Sequence, residues 1–152
     1  MKNISNILTL ALIFVLALSC RKDEVNLDRG FAGCWELVSR SDEAVTDFSV
    51  YMCFNSDGTF TLYQKLQAPV YYSYAGTWST SDGVLDGYYN DGSPWASSYS
   101  YEFSDNGAIL YLKTVGSFSG ETQVFFYTNL PKEVSDNAVP QVKSSDFPGK
   151  VF

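Results

Sequence analysis

Residues 48–65 read Phe-Ser-Val-Tyr-Met-Cys-Phe-Asn-Ser-Asp-Gly-Thr-Phe-Thr-Leu-Tyr-Gln-Lys. In the first half Val50, Met52 and Phe54 alternate with Ser49, Tyr51 and Cys53. A period of two is the signature of a β-strand with one buried face. Asn55-Ser56-Asp57-Gly58 then breaks the run, and Thr59–Lys65 resumes it. Asn, Asp and Gly tolerate the positive φ that tight hairpins need, so this stretch reads as two antiparallel strands joined by a short turn.

The same grammar extends in both directions. Strand signals cover Gly33–Arg40, Phe48–Phe54, Thr59–Lys65, Val70–Ser79, Val84–Tyr89, Trp95–Phe103, Ala108–Thr114 and Glu121–Thr128. Pro69 precedes the fourth, and Ser81-Asp82-Gly83, Asn90-Asp91-Gly92, Ser104-Asp105-Asn106-Gly107 and a Gly/Ser loop around Gly116–Gly120 punctuate the rest. Short turns between consecutive strands imply an up-and-down order. Eight such strands can close into a barrel and so remove exposed sheet edges. The expected fold is therefore all-β, an eight-stranded antiparallel up-and-down barrel. The rival is an immunoglobulin-like sandwich, whose disulfide joins strands far apart in sequence. The tail carries one candidate helix, around Leu130–Ser135, with Pro131 near its first turn. Residues 138–152 read as irregular.

The alternation also sets a register. In the first strand Trp35 and Leu37 share a face opposite Glu36, which marks the inside. Matching Trp35 to Met52 pairs Leu37 with Val50 and brings Cys34 opposite Cys53. Directly opposed residues lie within disulfide reach. A Cys34–Cys53 disulfide is the expectation, with two inert thiols as the alternative. The two cysteines are close in sequence, which disfavours the antibody-type sandwich.

Two stripes are richest in aromatics. Val70, Tyr72, Tyr74, Gly76 and Trp78 share one face, and so do Trp95, Ser97, Tyr99, Tyr101 and Phe103. A barrel of eight strands is just wide enough to be filled by side chains or to hold one small ligand. Trp35, Tyr72, Tyr74, Trp78, Tyr99 and Tyr101 are thus the candidate ligand-binding residues, with Tyr hydroxyls as polar handles. The competing reading is that these rings simply fill the barrel.

The chain begins with Met1-Lys2 and an apolar run from Ile7 to Leu18, broken only by Thr9. This is short for a membrane span and matches a signal-peptide core. It ends at Leu16-Ala17-Leu18-Ser19-Cys20, which resembles the lipobox of bacterial lipoproteins. That resemblance implies a diacylglycerol thioether on Cys20, with cleavage and N-acylation by a palmitate-type chain. Several acyl chains anchor a protein almost permanently, at about 0.8 kcal/mol per buried CH₂. Arg21-Lys22-Asp23-Glu24 resembles the surface-export signal of certain Gram-negative lipoproteins. The expected location is the outer membrane, facing the cell surface, with the periplasmic face as the alternative. The organisation is then a signal peptide over 1–19, a lipidated Cys20 and tether over 20–30, a barrel over 31–129 and a tail over 130–152.

Composition narrows the functions. The 152 residues carry 10 Lys plus Arg against 17 Asp plus Glu, a net charge of −7, so a basic nucleic-acid footprint is excluded. There is no His, which removes Ser-His-Asp and Cys-His catalysis and His-ligated metal sites. The acids Asp57, Asp82, Asp91 and Asp105 sit in turns, and no motif links Glu36, Asp86, Glu102 and Glu121. No phosphate loop, Cys-x-x-Cys or full calcium loop is present. The expectation is a non-enzyme with no cofactor.

Gly33-Cys34-Trp35-Glu36-Leu37-Val38 resembles the Gly-x-Trp start of lipocalins and lipocalin-like domains. Phe54-Asn55-Ser56-Asp57-Gly58-Thr59-Phe60 looks like the second hairpin of small bacterial lipocalin-like lipoproteins, and Tyr74-Ala75-Gly76-Thr77-Trp78 like the strand that follows. The resemblance spans residues 31–129. It implies a calycin-like barrel whose base is closed by Trp35, and a function in binding a small apolar or aromatic molecule. There is no second signature of the Thr-Asp-Tyr type, and no Arg late in the last strand to stack on Trp35. The alternative function is a surface accessory module with a filled barrel, contacting protein or glycan; no protein partner is named by the residues.

Overall fold

The computed structural model describes residues 30–116, 120–141 and 152. The expected signal peptide, the lipidation residue Cys20 and the tether up to residue 29 lie outside the described residues. So do residues 117–119 and 142–151.

Among the described residues there are ten strands and one short helix: β1 (Gly33–Arg40), β2 (Glu43–Ala44), β3 (Ser49–Phe54), β4 (Thr59–Lys65), β5 (Tyr72–Ser81), β6 (Val84–Tyr89), β7 (Ser98–Ser104), β8 (Ile109–Val115), β9 (Thr122–Thr128), α1 (Lys132–Asn137) and β10 (Val139–Pro140). Eight of them form a ring. The order β5-β4-β3-β1-β9-β8-β7-β6 returns to β5 through a β5–β6 ladder. Each neighbouring pair in this ring is antiparallel. The eight-stranded up-and-down barrel expected from the sequence is the observed fold. The two-residue β2 only extends β1 as a small hairpin.

Turn chemistry explains the short connections. At the first, Asp57 Oδ1 accepts hydrogen bonds from Thr59 N (2.9 Å) and Thr59 Oγ1 (2.6 Å). Gly58 takes a φ of +83°, which a side chain would resist. These bonds favour the carboxylate, so the Asp57 carboxyl is held below its ordinary range. Asp91 repeats the device, accepting from Ser93 N and Ser93 Oγ.

The β1–β3 register pairs Trp35 with Met52 and Cys34 with Cys53, the pairing set by the alternation of apolar residues. Cys34 and Cys53 form a disulfide. It ties the first two long strands together on the outer face, opposite buried Trp35 and Met52.

Three details depart from the sequence reading. The fourth strand runs Tyr72–Ser81 rather than Val70–Ser79. Trp95 precedes the sixth long strand, which starts at Ser98, because β6 and β7 pair only at Val84–Ser100 and Leu85–Tyr99. Beyond those pairs the strands diverge, and Trp95 N bonds Gly87 O at 2.9 Å across the seam. Lastly, the tail expected to be irregular contributes to the domain. The expected helix is α1, which starts after Pro131 and buries Val134; beyond it, in the stretch read as irregular, β10 adds parallel to β5 and Phe152 lies in the core.

Cys34 and Cys53 should resist alkylation without reductant. A Cys34→Ser/Cys53→Ser variant should lose about 3 kcal/mol of unfolding free energy, since the bond closes a loop of about 20 residues; urea denaturation measures it.

Candidate functional site

Strand polarity divides the barrel interior into two ends. Gly33, Phe54, Thr59, Ser81, Ser104 and Thr128 mark the first. Arg40, Ser49, Lys65, Tyr72, Tyr89, Val115 and Thr122 mark the second.

The first end is a closed aromatic base. Phe31 lies across it, with ring centroids 4.8–5.2 Å from those of Phe54, Trp78, Tyr101 and Phe103. Trp35 is fully buried and donates its indole N–H to the Phe31 carbonyl at 2.8 Å. Its ring meets Phe103 and, edge-on, Tyr127 of β9 at 5.4 Å. The last strand thus covers Trp35 with a tyrosine ring. Trp78 donates its N–H to Thr59 O and Asn55 O, at 3.0 and 3.3 Å. Each such ring pair adds about 0.5–1.5 kcal/mol beyond the area it buries. The base is a structural plug.

The second end is built differently. Tyr74 (β5), Tyr89 (β6), Trp95 (at the seam) and Tyr99 (β7) are buried and form a chain of edge-on ring contacts through Phe60. Trp95 lies flat on Gly87, where a Cβ would overlap the indole. Three buried polar side chains join them: Gln64 on β4, Thr114 on β8 and Gln123 on β9. Each continues the inward-facing series of its strand, Phe60-Leu62-Gln64, Leu110-Leu112-Thr114 and Gln123-Phe125. Gln64 is 0% exposed, and neither its amide N nor its amide O has a hydrogen-bond partner among the described residues; nor does Trp95 Nε1. An unsatisfied buried amide costs roughly 1–3 kcal/mol. The final ring in this half belongs to Phe152, packed on Trp95, Tyr99 and Phe125.

The rim carries an ion pair. Arg40 Nε donates to Glu121 Oε1 at 2.5 Å, and Gln123 Nε2 donates to the same oxygen at 3.3 Å. The Arg40 bond holds the Glu121 carboxyl below its ordinary range. Burial, aided by the Glu121 charge, pushes the Tyr99 phenol up to about 12. Burial raises Tyr89 as well, with further contributions from Tyr99, Tyr74 and Asp91. On the outer face, burial and then the charge of Glu36 push Tyr51 up to about 12. All three phenols therefore stay neutral hydrogen-bonding groups at neutral pH.

The six candidate ligand-binding residues are divided between the two ends. Tyr74 and Tyr99 come together at the second end, and Tyr72 lies beside Gln64 in the β4–β5 ladder. Trp35, Trp78 and Tyr101 belong to the base around Phe31. Missing from the sequence reading were Gln64, Gln123, Tyr89 and Phe152. Alternation along β4 and β9 was the available signal for the two glutamines. An open cleft of about 440 Å³ lies at the β6–β7 seam, lined by Asp86, Tyr88, Pro94, Trp95, Ser98 and Val115. Among the described residues no group of three or more His, Cys, Asp or Glu could hold a metal, and no helix is long and apolar enough to cross a membrane.

Two measurements check this account. Gln64→Met, of similar shape but without the amide, should raise unfolding free energy by about 1–3 kcal/mol in urea. An unfolded chain releases phenol protons near 10.0, whereas folded Tyr51 and Tyr99 hold theirs to about 12. Folding stability should thus be indifferent to these groups below pH 10 and fall between pH 10 and 12; urea midpoints across that range, beside the phenolate absorbance, would show it.

Residues 31–107, from the start of the barrel through β7, match the family model of the lipocalin-like domain. No curated protein matches the chain. A ring of eight antiparallel strands, a Trp at its base and this match over half the sequence agree. The chain belongs to the lipocalin-like domain family.

Proposed function

We propose that this protein is a lipid-anchored, non-enzymatic binding protein of the outer membrane that takes a small apolar or aromatic molecule at the second end of its barrel. A lipocalin-like domain points to a small-molecule-binding barrel. The observation that carries the finer reading is the Gln64 amide, fully buried on the inward face of β4 with no hydrogen-bond partner among the described residues. A protein selected for stability alone would be served by Leu or Met there. A ligand bearing one polar group gives the amide a purpose, since mostly apolar sites fix orientation with a few placed polar groups. Tyr74, Tyr89, Trp95 and Tyr99 supply the apolar contact. The anchor rests on the Cys20 lipobox, and the surface-facing orientation on Arg21-Lys22-Asp23-Glu24.

The second reading is a surface accessory module whose barrel is simply filled. The close ring packing from Phe31 to Phe152 favours it.

Native mass spectrometry of the full chain, extracted gently from its own host membranes, separates the two. Under the binding reading a discrete non-covalent mass leaves on denaturation, while a diacylglyceryl and acyl mass stays on Cys20. A bare barrel, on lipidated protein, would reject ligand carriage and leave the accessory module. An unlipidated Cys20 would reject the anchor.

A further inference from the structure

Strands β6 and β7 part after two residue pairs, and the surface cleft of about 440 Å³ lies where they diverge. Its walls are ordered by the backbone. Trp95 N donates to Gly87 O at 2.9 Å, and Tyr88 forms a β-bridge with Pro94. Asp91 Oδ1 accepts from Ser93 N at 2.9 Å and so fixes the loop that carries Pro94. Small-molecule sites are mostly preformed clefts of this size. Alternation along β6 turns Leu85, Gly87 and Tyr89 inward and leaves Asp86 and Tyr88 on the outer face, roughly 7 Å apart along the strand. Tyr88 is 56% exposed, more than any other large hydrophobic side chain among the described residues. Its backbone is paired on both sides, to Thr77 of β5 and to Pro94, so a rigid wall presents the ring. Ser98 Oγ donates to Asp86 Oδ1, which orients the carboxylate and leaves Oδ2 facing other donors.

We propose that this cleft binds a neutral saccharide, with Tyr88 as the stacking platform and Asp86 as the acceptor for sugar hydroxyls. The site lies outside the barrel interior. It deepens the accessory-module reading by giving that module a glycan partner, and it holds whether the interior carries a ligand or is filled.

The chemistry of the lining selects the class. A pyranose ring has a face of C–H hydrogens and an edge of hydroxyls. The negative π face of an exposed tyrosine attracts the first. A carboxylate takes the second in charge-assisted hydrogen bonds. Hydroxyls surround both groups: Thr77 lies directly opposite Tyr88 and Ser79 opposite Asp86, both exposed, and Ser97 and Ser98 line the cleft. Val115, 45% exposed, adds an apolar rim. Asp86 is the one charged side chain among the described residues of the lining, so acidic sugars and phosphates are repelled. An organic ammonium ion is the rival for a ring beside a carboxylate. The hydroxyls favour the sugar, because they can donate to it and accept from it, whereas a quaternary ammonium has no hydrogen-bonding group to meet them.

Saturation-transfer difference NMR on the full chain in lipid nanodiscs, with empty nanodiscs as the control, tests this. The neutral probes are cellotetraose, mannotetraose and galactotetraose; trigalacturonate is the acidic counterpart and tetramethylammonium the cation. At least one neutral tetrasaccharide should bind through its ring protons, and neither trigalacturonate nor tetramethylammonium should displace it. Tyr88→Ala should weaken that binding roughly tenfold, and Asp86→Asn should weaken it too. Phe126→Ala removes another exposed ring, on the outer face of β9, and should leave binding unchanged. Binding of no neutral tetrasaccharide, binding of the cation alone, or equal binding by Tyr88→Ala each overturns the proposal. Should Tyr88→Ala not fold, the unaltered chain decides: nuclear Overhauser contacts must join the sugar to the Tyr88 ring, and their absence with sugar bound rejects the cleft. N-phenyl-1-naphthylamine reports on the barrel interior separately. Its displacement by the tetrasaccharide would put the sugar inside the barrel, overturning the cleft and leaving the binding barrel standing.

Discussion

Strand β1 is hydrogen-bonded on one side to β3 and on the other to β9, and that double pairing closes the ring. Closure pairs each strand of the circuit on both sides, save where β6 and β7 diverge, and encloses an interior whose width follows from the strand number. The interior must then be filled by whatever side chains point into it. Here those are large: Trp35, Phe60, Tyr74, Tyr89, Tyr99 and Phe125 are all buried on inward faces. Where such rings crowd, the wall has to be thin. Gly76 and Gly87 provide that, since a Cβ at either would collide with Phe60 or with Trp95. The disulfide between β1 and β3 and the Asp-based turns secure the same ring from outside.

The two ends solve the filling problem differently. At the base, Phe31 crosses the opening and its own carbonyl satisfies the Trp35 indole, so apolar packing and hydrogen bonding are complete together. At the other end, polar side chains replace apolar ones at the last inward position of three strands. Gln64, whose amide has no hydrogen-bond partner among the described residues, would contribute more stability as an aliphatic residue. One end of the barrel is thus sealed by rings, and the other combines rings with buried polar side chains.

Much of this was legible because β-structure writes itself locally. Alternation in Ser49–Phe54 against Gly33–Leu37 determined which faces turn inward, and inward faces determined the register. The register placed Cys34 opposite Cys53. Asp-Gly and Asn-Gly pairs marked the hairpins, since the backbone signs they tolerate are a property of those residues alone. The start of β7 was misplaced for a matching reason: Trp95 has the composition of a strand, but the divergence of β6 and β7 depends on the bulk of its indole over Gly87, which is a tertiary contact.

The candidate site shows where local reading stops. Period-two patterning put Trp35, Tyr72, Tyr74, Trp78, Tyr99 and Tyr101 on inward faces, but it carries no information about height along the barrel axis. Height depends on strand stagger around the whole ring, so only the folded structure separated Trp35, Trp78 and Tyr101 at the base from Tyr74 and Tyr99 at the far end. Phe152 had no signal at all. It lies in a segment without periodicity, and its place among Trp95, Tyr99 and Phe125 is fixed by the shape of a space that exists only once eight strands have closed. Strands, pairing and family were readable from the residues alone, because each follows from neighbours along the chain or directly across a hairpin. The division of the core into a ring-sealed base and an end with buried polar side chains came from the tertiary structure, because it depends on which distant rings a closed barrel brings to the same height.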